Sequence, residues 1–99
     1  LLIFDEIDSG VSGEIANLMG EMMKKIGEQK QIIAVTHLPQ IAAKGNQHYL
    51  IYKQMKAGIT NTLIKELKRE ERVNELAKLL SGEKITAIAI KNAGELLNQ

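Results

Sequence analysis

The chain has 99 residues, enough for one small domain or part of a larger one, and 44% of them are hydrophobic, which supports a real core. Thirteen basic and twelve acidic residues leave a net charge of +1, so no strongly basic nucleic-acid surface is indicated, and one Phe, two Tyr and no Trp argue against a base-stacking platform. With no cysteine there is neither a disulfide scaffold nor a thiolate metal site; with no long apolar run and no signal-like start, no membrane span is expected and the cytoplasm is the default location.

Leu1-Leu2-Ile3-Phe4 runs straight into Asp5-Glu6. Such a run predicts a strand over 1–5 buried on both faces, with its carboxylates at the C-terminal end. A buried strand needs neighbours to pair its backbone. The abrupt opening therefore predicts that residues N-terminal to Leu1, or a separate chain, complete this fold. Asp8 to Gly13 reads as a loop in which Gly10 and Gly13 allow unusual backbone angles. Ser12 is placed to cap a helix running to about residue 26, with Glu14 in its first turn. Ile15, Leu18, Met19, Met22 and Ile26 form the helix's apolar stripe, which reads as core.

Ile32-Ile33-Ala34-Val35 is a second core-like strand ending at Thr36-His37. Strand, helix and strand at this spacing predict a parallel βαβ unit, with both strand ends at one sheet edge. Pro39 starts a short helical turn to about Ala43. His48 to Gln54 and Thr60 to Ile64 read as a hairpin with a longer loop, at an edge because its positions mix polar and apolar residues. Arg69 to Leu80 is an amphipathic helix with Val73, Leu76, Ala77 and Leu80 on one face. Glu70, Glu71 and Arg72 read as its solvated end. After Ser81-Gly82, Thr86 is placed to cap a last helix to about Leu97.

Chemistry concentrates at the two strand ends. Asp5 offers the hard oxygen donors that magnesium prefers, and Glu6 can polarise an attacking water. Adjacent strand residues face opposite ways, so the two roles are compatible where the strand ends. Asp8 either supports that geometry or forms an Asx-type turn. His37 can offer a ring N–H to a terminal phosphate, or cap backbone groups beside Pro39. His48 reads as structural. The eleven-residue gap between the histidines has no short zinc-ligand spacing.

Leu1 to Asp8 resembles the Walker B segment of the ABC-type ATPase heads shared by transporters, SMC proteins and Rad50-like repair proteins. Ser9 to Gly13 falls at their D-loop, and Thr36-His37 at their switch histidine. The run Asp5-Glu6-Ile7-Asp8-Ser9-Gly10-Val11-Ser12-Gly13, with Val35-Thr36-His37-Leu38-Pro39-Gln40-Ile41-Ala42, is most similar to the SMC-like ATPases of bacterial DNA repair. Asn46-Gln47-His48-Tyr49 and Glu75-Leu76-Ala77-Lys78-Leu79-Leu80-Ser81-Gly82 extend the likeness to nearly the whole chain.

The resemblance implies an α/β fold: the C-terminal portion of a P-loop, ABC-type ATPase head, with a βαβ core followed by a hairpin and two helices. Residues 1–45 would carry the Walker B, D-loop and switch-histidine elements, and 46–99 the hairpin and helices. It implies ATP and Mg2+ as cofactors, with Asp5 supporting the metal, Glu6 catalytic, and His37 at the γ-phosphate. Ser9, Gly10 and Ser12 would lie near the nucleotide and a second head. Many ABC-type relatives have an aspartate where this chain has Ser12, which removes one charged contact across that interface. The implied partners are the N-terminal part of the same head, a second head in a homodimer, and DNA through the complete protein, in a cytoplasmic, nucleoid-associated setting without membrane. The sequence holds no G-x-x-x-x-G-K-[ST] phosphate loop, so little ATP hydrolysis is expected of this chain alone. The alternatives are the head of another ABC-type ATPase, or a non-catalytic assembly module.

Overall fold

The computed structural model describes residues 1–5, 13–82 and 84–98. Its elements follow the order β1 (Leu2–Asp5), α1 (Gly13–Gly27), β2 (Ile32–Val35), α2 (Pro39–Ala42), β3 (Tyr49–Lys56), β4 (Ile59–Glu66), α3 (Arg69–Ser81) and α4 (Ala87–Leu97). β1 and β2 pair in parallel, with Leu2 opposite Ile32 and Asp5 opposite Val35. The expected βαβ unit is present, and the backbone bond from Leu2 N–H to Gln31 O (2.9 Å) starts the pairing.

The expectation of strands buried on both faces does not hold among the described residues. β1 alternates half-buried and exposed positions, and Ile3 is 66% exposed. Ile33 and Val35 on β2 are also exposed. A parallel sheet has to be covered on both sides to bury such residues; among the described residues the pair has helix α1 beside it and no second layer.

The stripe assigned to α1 is corrected in the same way. Ile15, Leu18 and Met22 are exposed, while Ala16 and Gly20 are buried. The helix turns a small-residue face to α2. A Cβ added at Gly20 would meet Gln40 O at 3.0 Å and Lys44 Cγ at 3.1 Å. Glycine is therefore what lets the two helices approach, and hydrophobic periodicity does not register that contact.

β3 and β4 form a separate antiparallel hairpin, paired from Tyr49–Glu66 to Lys56–Ile59. The longer loop expected from sequence is in fact only two residues, Ala57 and Gly58, both with positive φ (54° and 77°). This is the backbone that a tight hairpin turn of the I′ kind requires. Alanine is an unusual choice for the first position, so the turn signal is weak. The hairpin stands largely in solvent, with Ile51, Met55 and Ile64 exposed on one face.

The core lies at the other end of the chain. Leu76 and Ala77 of α3 pack with Ala89 and Ala93 of α4 and with Ala43 beyond α2; Val73, Ile85, Leu96 and Leu97 pack around them. Alanines at an i, i+4 spacing let the two helices lie close. Thr86 caps α4 as expected, its Oγ1 accepting from Ala89 N–H at 3.0 Å. At the start of α3, Glu71 Oε1 accepts from Lys68 N–H at 3.0 Å, and the other carboxylate oxygen pairs with Lys65. Gly82, with φ 83°, closes the helix through its N–H to Lys78 O.

Candidate functional site

The parallel pair decides which side chains meet. Asp5 ends β1 and is the register partner of Val35, which ends β2; Thr36 and His37 follow directly. Asp5 and His37 thus stand at the C-terminal edge of one parallel sheet, where open α/β folds place ligands. Both side chains are exposed. Glu6, Asp8, Ser9, Gly10 and Ser12 lie outside the described residues.

The backbone around His37 is held from three directions. Thr36 Oγ1 accepts from Leu38 N–H at 3.0 Å, the hydroxyl-to-backbone bond of a serine/threonine turn. Pro39 then opens α2 with its φ preset and no N–H to satisfy. Pro39, Ile41 and Ala43 are buried and seat the short helix.

The third hold comes from Arg72, assigned from sequence to a solvated helix end. Arg72 is instead half-buried. Its Nη2 donates to Ala42 O (3.2 Å) and Gly45 O (2.8 Å), at the C-terminal end of α2. Burial, and then the neighbouring Arg69, push its pKa down from the ordinary guanidinium value. A guanidinium nevertheless stays charged in a protein. One sequence signal does distinguish Arg72: it lies four residues before Leu76, on the buried side of α3.

His48 completes this corner. Its backbone oxygen accepts from Leu67 N–H at 2.8 Å, closing the base of the hairpin. Burial, then the Arg72 guanidinium, hold its pKa below 6.5, and the Glu75 carboxylate opposes them in part. A histidine lowered in this way binds protons better when unfolded. Its contribution to stability is therefore present above the unfolded pKa and declines as pH falls through about 6.5. Replacing His48 with Gln is expected to reduce the loss of urea stability between about pH 7.5 and pH 5.5. An identical pH dependence in the two proteins would contradict this role.

A separate cleft of about 230 Å3 lies among the helices, lined by Asn17, Gln40, Leu80, Asn92, Glu95 and Leu96. It does not include Asp5 or His37. Among the described residues no group of three or more His, Asp or Glu side chains is arranged to hold a metal by itself. None of the described helices is long and apolar enough to cross a membrane.

The βαβ unit followed by C-terminal helices matches a P-loop ATPase-like architecture of the SMC/ABC head kind. A solved structure from work on ATP-driven dimerization and DNA-stimulated activation of SMC ATPases shares this fold, with a TM-score of 0.60 and 18% identity over 83% of this chain and 48% of that chain. No protein-family model matches the chain. Among curated proteins, it is 48% identical over 96 residues to the DNA repair protein RecN of Vibrio cholerae, covering 97% of this chain. It is 44% identical over 98 residues to RecN of Xylella fastidiosa and 40% identical over 98 residues to RecN of Bacillus subtilis, covering 99% of this chain in each case. Over nearly all of its residues the chain is similar to a segment of these RecN proteins. It spans only 17–18% of the length of these curated relatives.

Proposed function

We propose that this segment supplies the hydrolytic half of a composite ATPase head in a RecN-like protein of DNA double-strand break repair and recombination. The observation that supports this reading best is the parallel register that sets Asp5 and the Thr36-His37 turn at one sheet edge. The similarity to RecN over nearly the whole chain points the same way.

The residues present suit Mg-ATP. Asp5 is an exposed carboxylate at a strand end, a hard oxygen donor able to hold magnesium directly or through water. The metal's chemistry there is to neutralise phosphate charge. Glu6 follows Asp5 at once and acts as the base, taking a proton from the water that attacks phosphorus. His37 directs a ring N–H at the terminal phosphate oxygens, where charge develops. By the resemblance, Ser9, Gly10 and Ser12 would serve the contact with a second head, two heads closing around the nucleotide. The N-terminal part of the same head brings the phosphate-binding loop, and DNA is engaged through the complete protein.

In this reading His37→Ala in the full-length protein lowers the steady-state rate of ATP hydrolysis by about 10²-fold, on the scale of removing one donor from a developing oxyanion. ATP binding, followed by titration calorimetry, changes far less. Turnover equal to that of the unaltered protein would remove His37 from the reaction.

A further inference from the structure

We propose that Arg72 is a positioning residue for His37, acting through α2. The inference rests on the phosphate role given to His37 above. A helix of one turn is not stable by itself, and α2 spans only Pro39–Ala42. Its closing bond, Ala43 N–H to Pro39 O, is 2.9 Å, but the Ala42 oxygen at its end is met only by Gly45 N–H at 3.4 Å among the described backbone donors. The Arg72 guanidinium bonds that same Ala42 oxygen and the Gly45 oxygen beyond it. Both bonds are charge-assisted, and one nitrogen spans two carbonyls that the helix leaves without strong partners.

Arg72 is itself firmly placed. One turn along α3, Leu76 is completely buried in the α3–α4 core. On its other side α2 rests closely against Gly20 of α1, where an added Cβ would stand 3.0 Å from Gln40 O. The short helix is therefore held between α1 and the guanidinium, and a shift at its C-terminal end weakens one contact or the other. Its N-terminal end runs through Leu38 into the Thr36 turn that presents His37. From His37 to Ala43 is less than two helical turns, so a displacement at Ala42 carries to the histidine. Arg72 thus joins the C-terminal helical pair to the sheet edge. Lysine keeps the charge and can offer more than one N–H from a single nitrogen, but on a shorter stem, so it restores this bridge only in part.

The test is steady-state ATP hydrolysis by the full-length protein carrying Arg72→Ala, Arg72→Lys, His37→Ala, and Arg72→Ala with His37→Ala. Arg72→Ala is expected to lower kcat about 10- to 10²-fold, the scale of a misplaced reacting group, with the KM for ATP within about twofold of the unaltered value. Arg72→Lys should fall between the two. The double variant should be no slower than His37→Ala, because Arg72 has nothing left to position. Unaltered kcat in Arg72→Ala, or losses that multiply in the double variant, overturns the proposal. If Arg72→Ala does not fold, Arg72→Lys with and without His37→Ala is read by the same criteria. A fall in His37→Ala with full activity in the arginine variants removes the positioning role alone. Full activity in His37→Ala removes the phosphate role and the positioning role together.

Discussion

Replacing Glu6 with Gln in the full-length protein is expected to lower ATP turnover by about 10²- to 10⁴-fold, the range spanned by a general base. The amide keeps the size and much of the hydrogen bonding of the carboxylate, but it cannot take the proton from the attacking water. Asp5 and His37 are untouched by the change, so ATP binding should persist. The two quantities are measured separately, turnover by phosphate release and binding by calorimetry. Loss of both together would point to collapse of the strand end. Unchanged steady-state hydrolysis would remove Glu6 from the base role, even with Asp5 still at the edge beside the Thr36-His37 turn.

That pairing of residues was legible because it needs little more than strand polarity. Leu2–Asp5 and Ile32–Val35 are apolar runs joined by a single helix, and a helical crossover makes the strands parallel. Once parallel, their C-terminal residues share an edge, whatever the side-chain packing. Thr86 was legible for a similarly local reason, since a capping hydroxyl acts on an N–H three residues away.

What sequence reasoning misplaced depends on partners distant in the chain. Ile15, Leu18 and Met22 have helical periodicity, yet the contact of α1 with α2 runs through Ala16 and Gly20, whose value is their lack of bulk. The two-residue turn at Ala57-Gly58 was hidden because alanine rarely takes positive φ. Arg72 looked like part of a charged helix end. Its partners are carbonyls 27 and 30 residues earlier, and no local pattern announces a backbone oxygen as a ligand. The two faces of β1 and β2 show the reverse case: their composition is that of a covered sheet, while Ile3, Ile33 and Val35 remain exposed here.

Those exposed strands bear on the second large effect. The proposed function divides one active site between this segment and residues outside it; the curated relatives are several times longer, the chain covering 17–18% of them. In the proposed function the carboxylates and the histidine would act on a triphosphate held in place, and no phosphate loop occurs among the 99 residues. Without that hold, the entropic advantage of a fixed triphosphate is lost. Well-oriented groups draw about 7–11 kcal/mol from such placement, so Glu6 by itself cannot offset its absence. Under the proposed function, adding the rest of the head is expected to restore turnover, because Asp5, Glu6 and His37 would then meet a bound substrate.

The most direct measurement is Mg-ATP hydrolysis by the purified 99-residue chain, set beside the full-length protein at equal concentration. The account predicts negligible turnover by the chain alone and clear turnover by the full-length protein, lost in the latter on Glu6→Gln. Robust turnover by the chain alone, abolished by changing Asp5 or Glu6, would contradict the claim that it carries only the hydrolytic half of the site.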